Sequence, residues 1–260
     1  MNTEKYTAQL QAGLGLIEET KALLDMWQPG MDGLELKCMA LKSGKFATMS
    51  ARRIRNMVVE CFKPRYLRDN AQNAILMKQV QPLLNKREFE QLLFVYTAQT
   101  YSIMSDFITQ VYWPAYMANQ ECLTKNDAIK FVSKANSEGL TAKQWSDTTV
   151  TKVASYLNGV CADFGLLEHS SGANRKILPC RIEDNSAIIL IYQLHFNGLG
   201  DNSIVSHPMW KLFGMEREDV INELKYLSLR GAFIVQNAAD LVSIGWQYKD
   251  IEGLANAIRS

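Results

Sequence analysis

The sequence contains no catalytic signature. There is no GxSxG nucleophile elbow, no phosphate-binding P-loop, no HExxH pair, and no His/Cys cluster at metal-ligand spacing. Its three histidines, His169, His195 and His207, fall on a predicted strand, a buried helix and a loop, where each reads as structural. The acid pairs Glu18-Glu19 and Glu183-Asp184 read as helix starts or solvated surface. Acid/base pairs assembled across a fold leave no trace in spacing, so that class stays open. The Gly13-Leu14-Gly15 run has neither a preceding strand nor a third glycine, which argues against a nucleotide loop. The five cysteines (Cys38, Cys61, Cys122, Cys161, Cys180) are odd in number, widely spaced and without a CxxC pair. They read as reduced core thiols of a cytoplasmic protein. A long apolar run is lacking too. Ala187 to Leu194 is far short of the roughly 20 residues that span a bilayer, and it reads as a buried helix. The polar N-terminus has no signal-peptide core. No cofactor, metal, membrane or small-molecule substrate is implied.

Strong net charge is also missing: the formal balance is +1, with 47% hydrophobic and 21% charged residues, ordinary values for a globular protein. Distribution is more informative than the total. Between Lys42 and Arg68 stand Lys42, Lys45, Arg52, Arg53, Arg55, Lys63, Arg65 and Arg68 against Glu60 alone. From Glu183 onward acids outnumber bases. A basic block therefore sits near one end of a chain whose other end is acidic.

The chain is organised around Thr124 to Ile182. Thr124 with Asp127 forms a capping-box start, and Ala128, Ile129, Phe131, Val132 and Ala135 form an apolar face at helical spacing. Asn136-Ser137-Glu138-Gly139 supplies turn chemistry. Asp147 is then expected to cap a second helix with a face of Val150, Val153, Ala154, Leu157, Cys161 and Phe164, closed by Gly165. Leu166–His169 and Ile177–Ile182 flank a polar tip, Ser170 to Lys176, suited to a hairpin. Helix, turn, helix and basic wing outline a winged helix-turn-helix. On its second helix Thr148, Thr149 and Lys152 lie off the apolar stripe, and Arg175 and Lys176 are placed at the wing tip. These residue types contact phosphates or base edges. A winged helix used only for packing is the competing reading.

The basic block repeats the theme. Asp32 caps one helix, and Ser50 caps another that opens with Arg52, Arg53 and Arg55 and faces Ile54, Val58, Cys61 and Phe62 inward. That arginine-bearing end is the end that meets DNA in many helix-turn-helix proteins. Lys45, Ser50, Lys63 and Arg65 extend the expected surface. Met1 to Tyr6 reads as a loose polar lead. Salt bridges within the block are the alternative use of these charges, though it holds one acid. Residues 70–117 form a dense apolar helical series whose aromatics read as packing. After a break at Gly198–Asn202, Arg217–Leu229 reads as an amphipathic helix, followed by strands at 232–235 and 241–244 around an Asn237–Asp240 turn. The expected organisation is a basic helix-turn-helix-like module (1–69), a helical core (70–122), a winged helix-turn-helix (123–198) and a helix-plus-hairpin unit (199–260). The fold class is mainly α with small β-hairpins.

Gly15-Leu16-Ile17-Glu18-Glu19-Thr20, Leu23-Leu24-Asp25-Met26-Trp27, and Ser50-Ala51-Arg52-Arg53 with Phe62-Lys63-Pro64-Arg65-Tyr66-Leu67 resemble the BrxA family of BREX bacteriophage-defence operons. The resemblance implies a cytoplasmic, mainly helical accessory protein that binds double-stranded DNA, its helical part similar to the antitermination protein NusB. It also implies action beside other BREX proteins, including the methyltransferase, without catalysis. It assigns no contact residues; those come from charge and spacing. RNA binding, and a scaffold role using Trp210, Phe213 and Trp246 as anchors, are the alternatives.

Overall fold

The computed structural model describes residues 5–12, 15–170, 172–238 and 241–259. They are mainly helical, with two small antiparallel sheets. Backbone contacts divide the chain into two compact units, each discontinuous in sequence: Met1–Lys78 with Leu93–Cys180, and Gln79–Leu92 with Arg181–Ser260.

The first unit begins with a 3-10 turn, Ala8–Ala12, and helices α1 (Ile17–Met26), α2 (Gly33–Lys42) and α3 (Ala51–Arg55). Two of their starts are the ones expected from sequence. The Asp32 carboxylate accepts from the backbone N–H groups of Leu34 and Glu35 while Glu35 answers the Asp32 N–H, a full capping box. Ser50 Oγ accepts from the Arg53 N–H at 3.2 Å. From α3 the helix widens into a π-helical stretch, Asn56–Phe62, and tightens again as α4 (Lys63–Tyr66). The ammonium of Lys78 in α5 (Gln72–Val80) closes α1, donating to the carbonyls of Leu24 and Trp27 at 2.9 and 2.6 Å. Next come α6 (Lys86–Thr100), whose residues are shared between the units, α7 (Ser102–Phe107), a second π-helical stretch (Ile108–Tyr112) and α8 (Trp113–Met117). Tyr96, Phe107 and Tyr112 of the 70–117 series are fully buried, as expected of packing, and so are Trp27 and Tyr66, whereas Tyr116 is exposed.

Strand β1 (Cys122–Thr124) then leads into α9 (Lys125–Ser137) and α10 (Asp147–Asp163). Thr124 and Asp127 make the expected capping box. The cap of α10 is Ser146 rather than Asp147: its Oγ accepts from the Thr149 N–H, and Asp147 is the first helical residue. Asn136 belongs to α9 and is buried. Its amide donates to the Trp145 carbonyl and accepts from Trp145 N–H and Thr141 Oγ1, clamping the connection between the helices. Tyr6 is likewise no loose lead. It is buried, its backbone bonds to Leu140 and Ala142, and its hydroxyl donates to the Asp106 carboxylate. Gly15 lies so close to α10 that a Cβ would stand 2.8 Å from that of Asp163, whose carboxylate accepts the Gly15 N–H. These ties draw the N-terminal segment across α9 and α10.

The expected self-contained wing is altered. Strand β2 (Asn174–Lys176) pairs with β1, Cys122 opposite Lys176 and Thr124 opposite Asn174, while its return arm makes one bridge, Leu167 to Ile177. Arg175 and Lys176 therefore stand on a paired strand and not at the tip. The loop before them contains Ser171, which lies outside the described residues, as does Gly13-Leu14 in the earlier glycine run.

The second unit holds α11 (Asp184–Phe196), α12 (Asp201–Val205), a 3-10 turn (Pro208–Phe213), α13 (Arg217–Ser228), strands β3 (Phe233–Ala238) and β4 (Leu241–Trp246), and α14 (Ile251–Arg259). Helix α11 is buried on nearly all sides, as its unbroken apolar run implies. Its Tyr192 packs against Phe233 and Trp246 and donates to the Ala232 carbonyl at 2.7 Å. The N–H groups of Ile244 and Val242 on β4 are accepted by Asp201 and Asn202 of α12, which covers an edge that would otherwise offer pairing. The 239–240 part of the expected hairpin turn lies outside the described residues.

Candidate nucleic-acid interface

The expected basic surface is only partly exposed. Arg52, Arg53 and Arg55 at the start of the α3 run are exposed, as are Lys45 and Lys63. Arg65 is the correction. It is 2% exposed, with its guanidinium 5.2 Å from the centre of the Tyr101 ring. Buried among aromatics, it holds the helix in place and offers no charge to a polyanion. Lys63 lies along α2, its side chain against Gly33 and its charge near Asp32. Arg55 has an acid partner, Glu60, at 3.9 Å. Among the described residues no ion pair involves Arg52 or Arg53.

These two arginines line an open cleft of about 530 Å³ together with Ser50, Asn56, Glu60, Gln9 and Tyr156. The composition is mixed: two guanidiniums, two amides, a hydroxyl, a carboxylate and a half-buried phenol ring. Asn56 and Glu60 come from the π-helical stretch, where the extra residue per turn re-aims side chains. Gln9 comes from the N-terminal 3-10 turn and Tyr156 from α10. The cleft therefore joins the basic block to the second helix of the 124–182 region. Tyr156 stands one turn beyond Lys152, so helical spacing places both on one side of α10. That relation was available in the sequence. No pattern marked Gln9, which the Tyr6 strap carries into place.

Other expected contacts vary in availability. Thr148 and Lys152 are exposed. Thr149 is half-buried and its hydroxyl lies 3.1 Å from Ser146 Oγ, within the cap. Lys176 is exposed, whereas Arg175 is half-buried and donates to the Glu168 carbonyl. Neither lysine, nor Thr148 or Arg175, lines the cleft.

The described residues contain no grouping of three His, Cys, Asp or Glu residues placed to hold a metal ion. Burial pushes the thiols of Cys61 and Cys161 up, which keeps them protonated and unreactive. Cys38, expected in the core, is exposed. The three histidines are dispersed. His195 stacks on Trp246, His207 accepts from the Met209 N–H, and His169 is exposed beside Asp163. Among the described residues no helix is long and apolar enough to cross a membrane.

Fold and site define a mainly helical protein whose distinctive feature is a basic, aromatic-bearing cleft. The BrxA family model matches residues 4–191, and the chain belongs to that family, a family of BREX-associated accessory proteins. A crystal structure of an uncharacterized protein from Magnetospirillum magneticum is similar in fold. It shares 13% sequence identity at a TM-score of 0.54, over 81% of this chain and 98% of that one. No curated protein matches.

Proposed function

We propose that the protein is a non-catalytic DNA-binding accessory of BREX phage defence that holds duplex DNA mainly through phosphate contacts of its first unit. The observation that carries this reading is the pair Arg52 and Arg53. Both are exposed, neither has an ion-pair partner among the described residues, and both border a cleft that α10 also lines. Arginines left unneutralised on a rigid helix are suited to phosphate recognition. Strand β1, helices α9 and α10, and β2 with its Leu167–Ile177 bridge follow the order of a winged helix. In this reading α10 presents Thr148 and Lys152 to the duplex while Lys176 reaches the backbone from β2. The NusB-like helical part expected from the family resemblance would be scaffold.

The test is titration of a labelled duplex across a range of salt. A phosphate-dominated complex loses affinity steeply, with a log–log slope of about −0.9 per neutralised phosphate. Absence of binding at low salt, or affinity indifferent to salt, would sink the reading. Competition with structured RNA separates the RNA alternative.

A partner-docking role keeps one supporting observation, on residues other than the expected anchors. Trp210 and Phe213 are buried, and Trp246 packs on Tyr192 and His195, so none is a surface anchor. Leu229, Ile234 and Leu241 of the second unit are exposed instead. Pull-down of the methyltransferase and other BREX proteins by a Leu229→Ser, Ile234→Ser variant addresses it. Undiminished capture would remove this support.

A further inference from the structure

We infer that the cleft between α3 and α10 seats a single unpaired nucleotide of a DNA strand, its base against Tyr156 and its phosphate against Arg52 and Arg53. The inference rests on the DNA-binding reading above and adds to it a preferred substrate, DNA with an extrahelical or unpaired nucleotide. Phosphates of an intact duplex lie on a convex rod. Such a rod can meet rim arginines but cannot fill a concavity of about 530 Å³, which is in the range of small-ligand sites. The lining is also richer than phosphate contact requires. Tyr156 supplies a half-buried ring on which any base can stack. Asn56 and Gln9 carry amides, each both donor and acceptor, and Glu60 offers an acceptor for a base N–H. Arg52 and Arg53 both line the cleft, and a guanidinium is suited to hold a phosphate.

The energetic preference follows from the state of the base before binding. Extruding a paired base costs a few kcal/mol of stacking and pairing, and the cost is least where the base is already unpaired. A cleft that rewards an extruded base without forcing the extrusion therefore favours bulged or single-stranded sites over intact duplex. The arginines serve both kinds of DNA, whereas Tyr156 serves the unpaired nucleotide.

The experiment compares, at one salt concentration, a short fully paired labelled duplex with the same duplex carrying one extrahelical thymidine. Native protein is expected to bind the bulged probe about tenfold more tightly, the scale of one base–aromatic stack. In Tyr156→Ala the ratio of the two affinities should collapse toward one, and in Tyr156→Phe it should persist. Arg52→Ala with Arg53→Ala should lower affinity for both probes. Circular dichroism melting checks that each variant folds. Binding of both probes with equal affinity by native protein overturns this inference and leaves duplex binding standing. Failure of native protein to bind either probe overturns both. A ratio unchanged in folded Tyr156→Ala also overturns the inference. So would competition by free thymidine monophosphate as effective as by the bulged probe, because the ligand would then be a free nucleotide and not part of a strand.

Discussion

The two units use charge in opposite ways. In the second, acids close on neighbouring partners. Glu183 pairs with Arg87 at 2.8 Å, and Asp184 meets Arg230 and Tyr226. Glu88 accepts from Asn85 N–H and from the Asn185 amide, and Gln91 donates to the Arg181 carbonyl while accepting from the Glu183 N–H. In the first unit the dense basic block divides. Arg65 is buried, Arg55 takes Glu60, and Arg52 and Arg53 remain exposed beside a cleft. Polar groups answered within the protein serve its stability, and those left facing solvent are available to a ligand. Residue type does not separate the two uses; position does.

The sharpest way to break that comparison is Arg65→Ala. Loss of a desolvated cation from its aromatic neighbour should cost about 2 kcal/mol or more, read as a lower denaturation midpoint. The salt slope of DNA binding by the folded fraction should not change. A normal midpoint with a flattened slope would place Arg65 on the binding surface and overturn the division between buried and available charge.

Arg52→Ala with Arg53→Ala should do the reverse. Binding should weaken for all sequences alike at near-native melting temperature. The log–log salt slope should shrink by about 0.9 for each phosphate that the variant no longer neutralises. Restored binding with Lys at both positions would assign the effect to charge; its failure would assign it to guanidinium geometry.

Gln91→Ala probes the second unit. It leaves the Arg181 carbonyl and the Glu183 N–H without their 2.7 and 2.8 Å partners, at a cost of about 1–3 kcal/mol. Stability should fall while the salt slope stays. An unchanged midpoint would show that water replaces the amide freely.

The smallest effect is one of pH. Burial, opposed by Arg181 and assisted by Asp184, raises the Glu223 carboxyl above its ordinary value. A raised acid favours the folded state while it is protonated. Its contribution is complete below the unfolded value and is lost as pH rises through the folded one. Melting curves of native protein and Glu223→Gln should therefore diverge in the variant's favour as pH climbs through and above the usual glutamate range. Parallel curves would remove Glu223 as a source of pH dependence.

Much of the helical pattern was legible in the sequence because its signals are local. The capping boxes at Asp32 and Thr124, the Ser50 cap, the buried α11 and the apolar faces of α9 and α10 depend on residues a few positions apart. Ser146 displaced Asp147 at the head of α10 because neighbouring residues of similar capping power differ only in the chain path. The linear segmentation could not express two units that each take two separate stretches of chain. The candidate site was legible in part. Arg52 and Arg53 were marked by charge and spacing, whereas Gln9, Asn56 and Tyr156 are brought to the same cleft only by the fold.

The sequence alone determined many of the helical segments, where a basic block falls and which residues resemble the BrxA pattern, since propensity, capping and charge act over one or two turns; α12, inside the expected break, and α14 were not among them. Tertiary structure decided which of those charges reach solvent. Arg65 differs from Arg53 in what packs over it, and Tyr101, which does so, is remote in the chain. The partner of β2 was decided in the same way, as was the sharing of one cleft by α3 and α10, because the ties made by Tyr6 and Gly15 reach residues far along the chain, from Asp106 to Asp163. Such ties depend on packing between distant segments, which no local periodicity records.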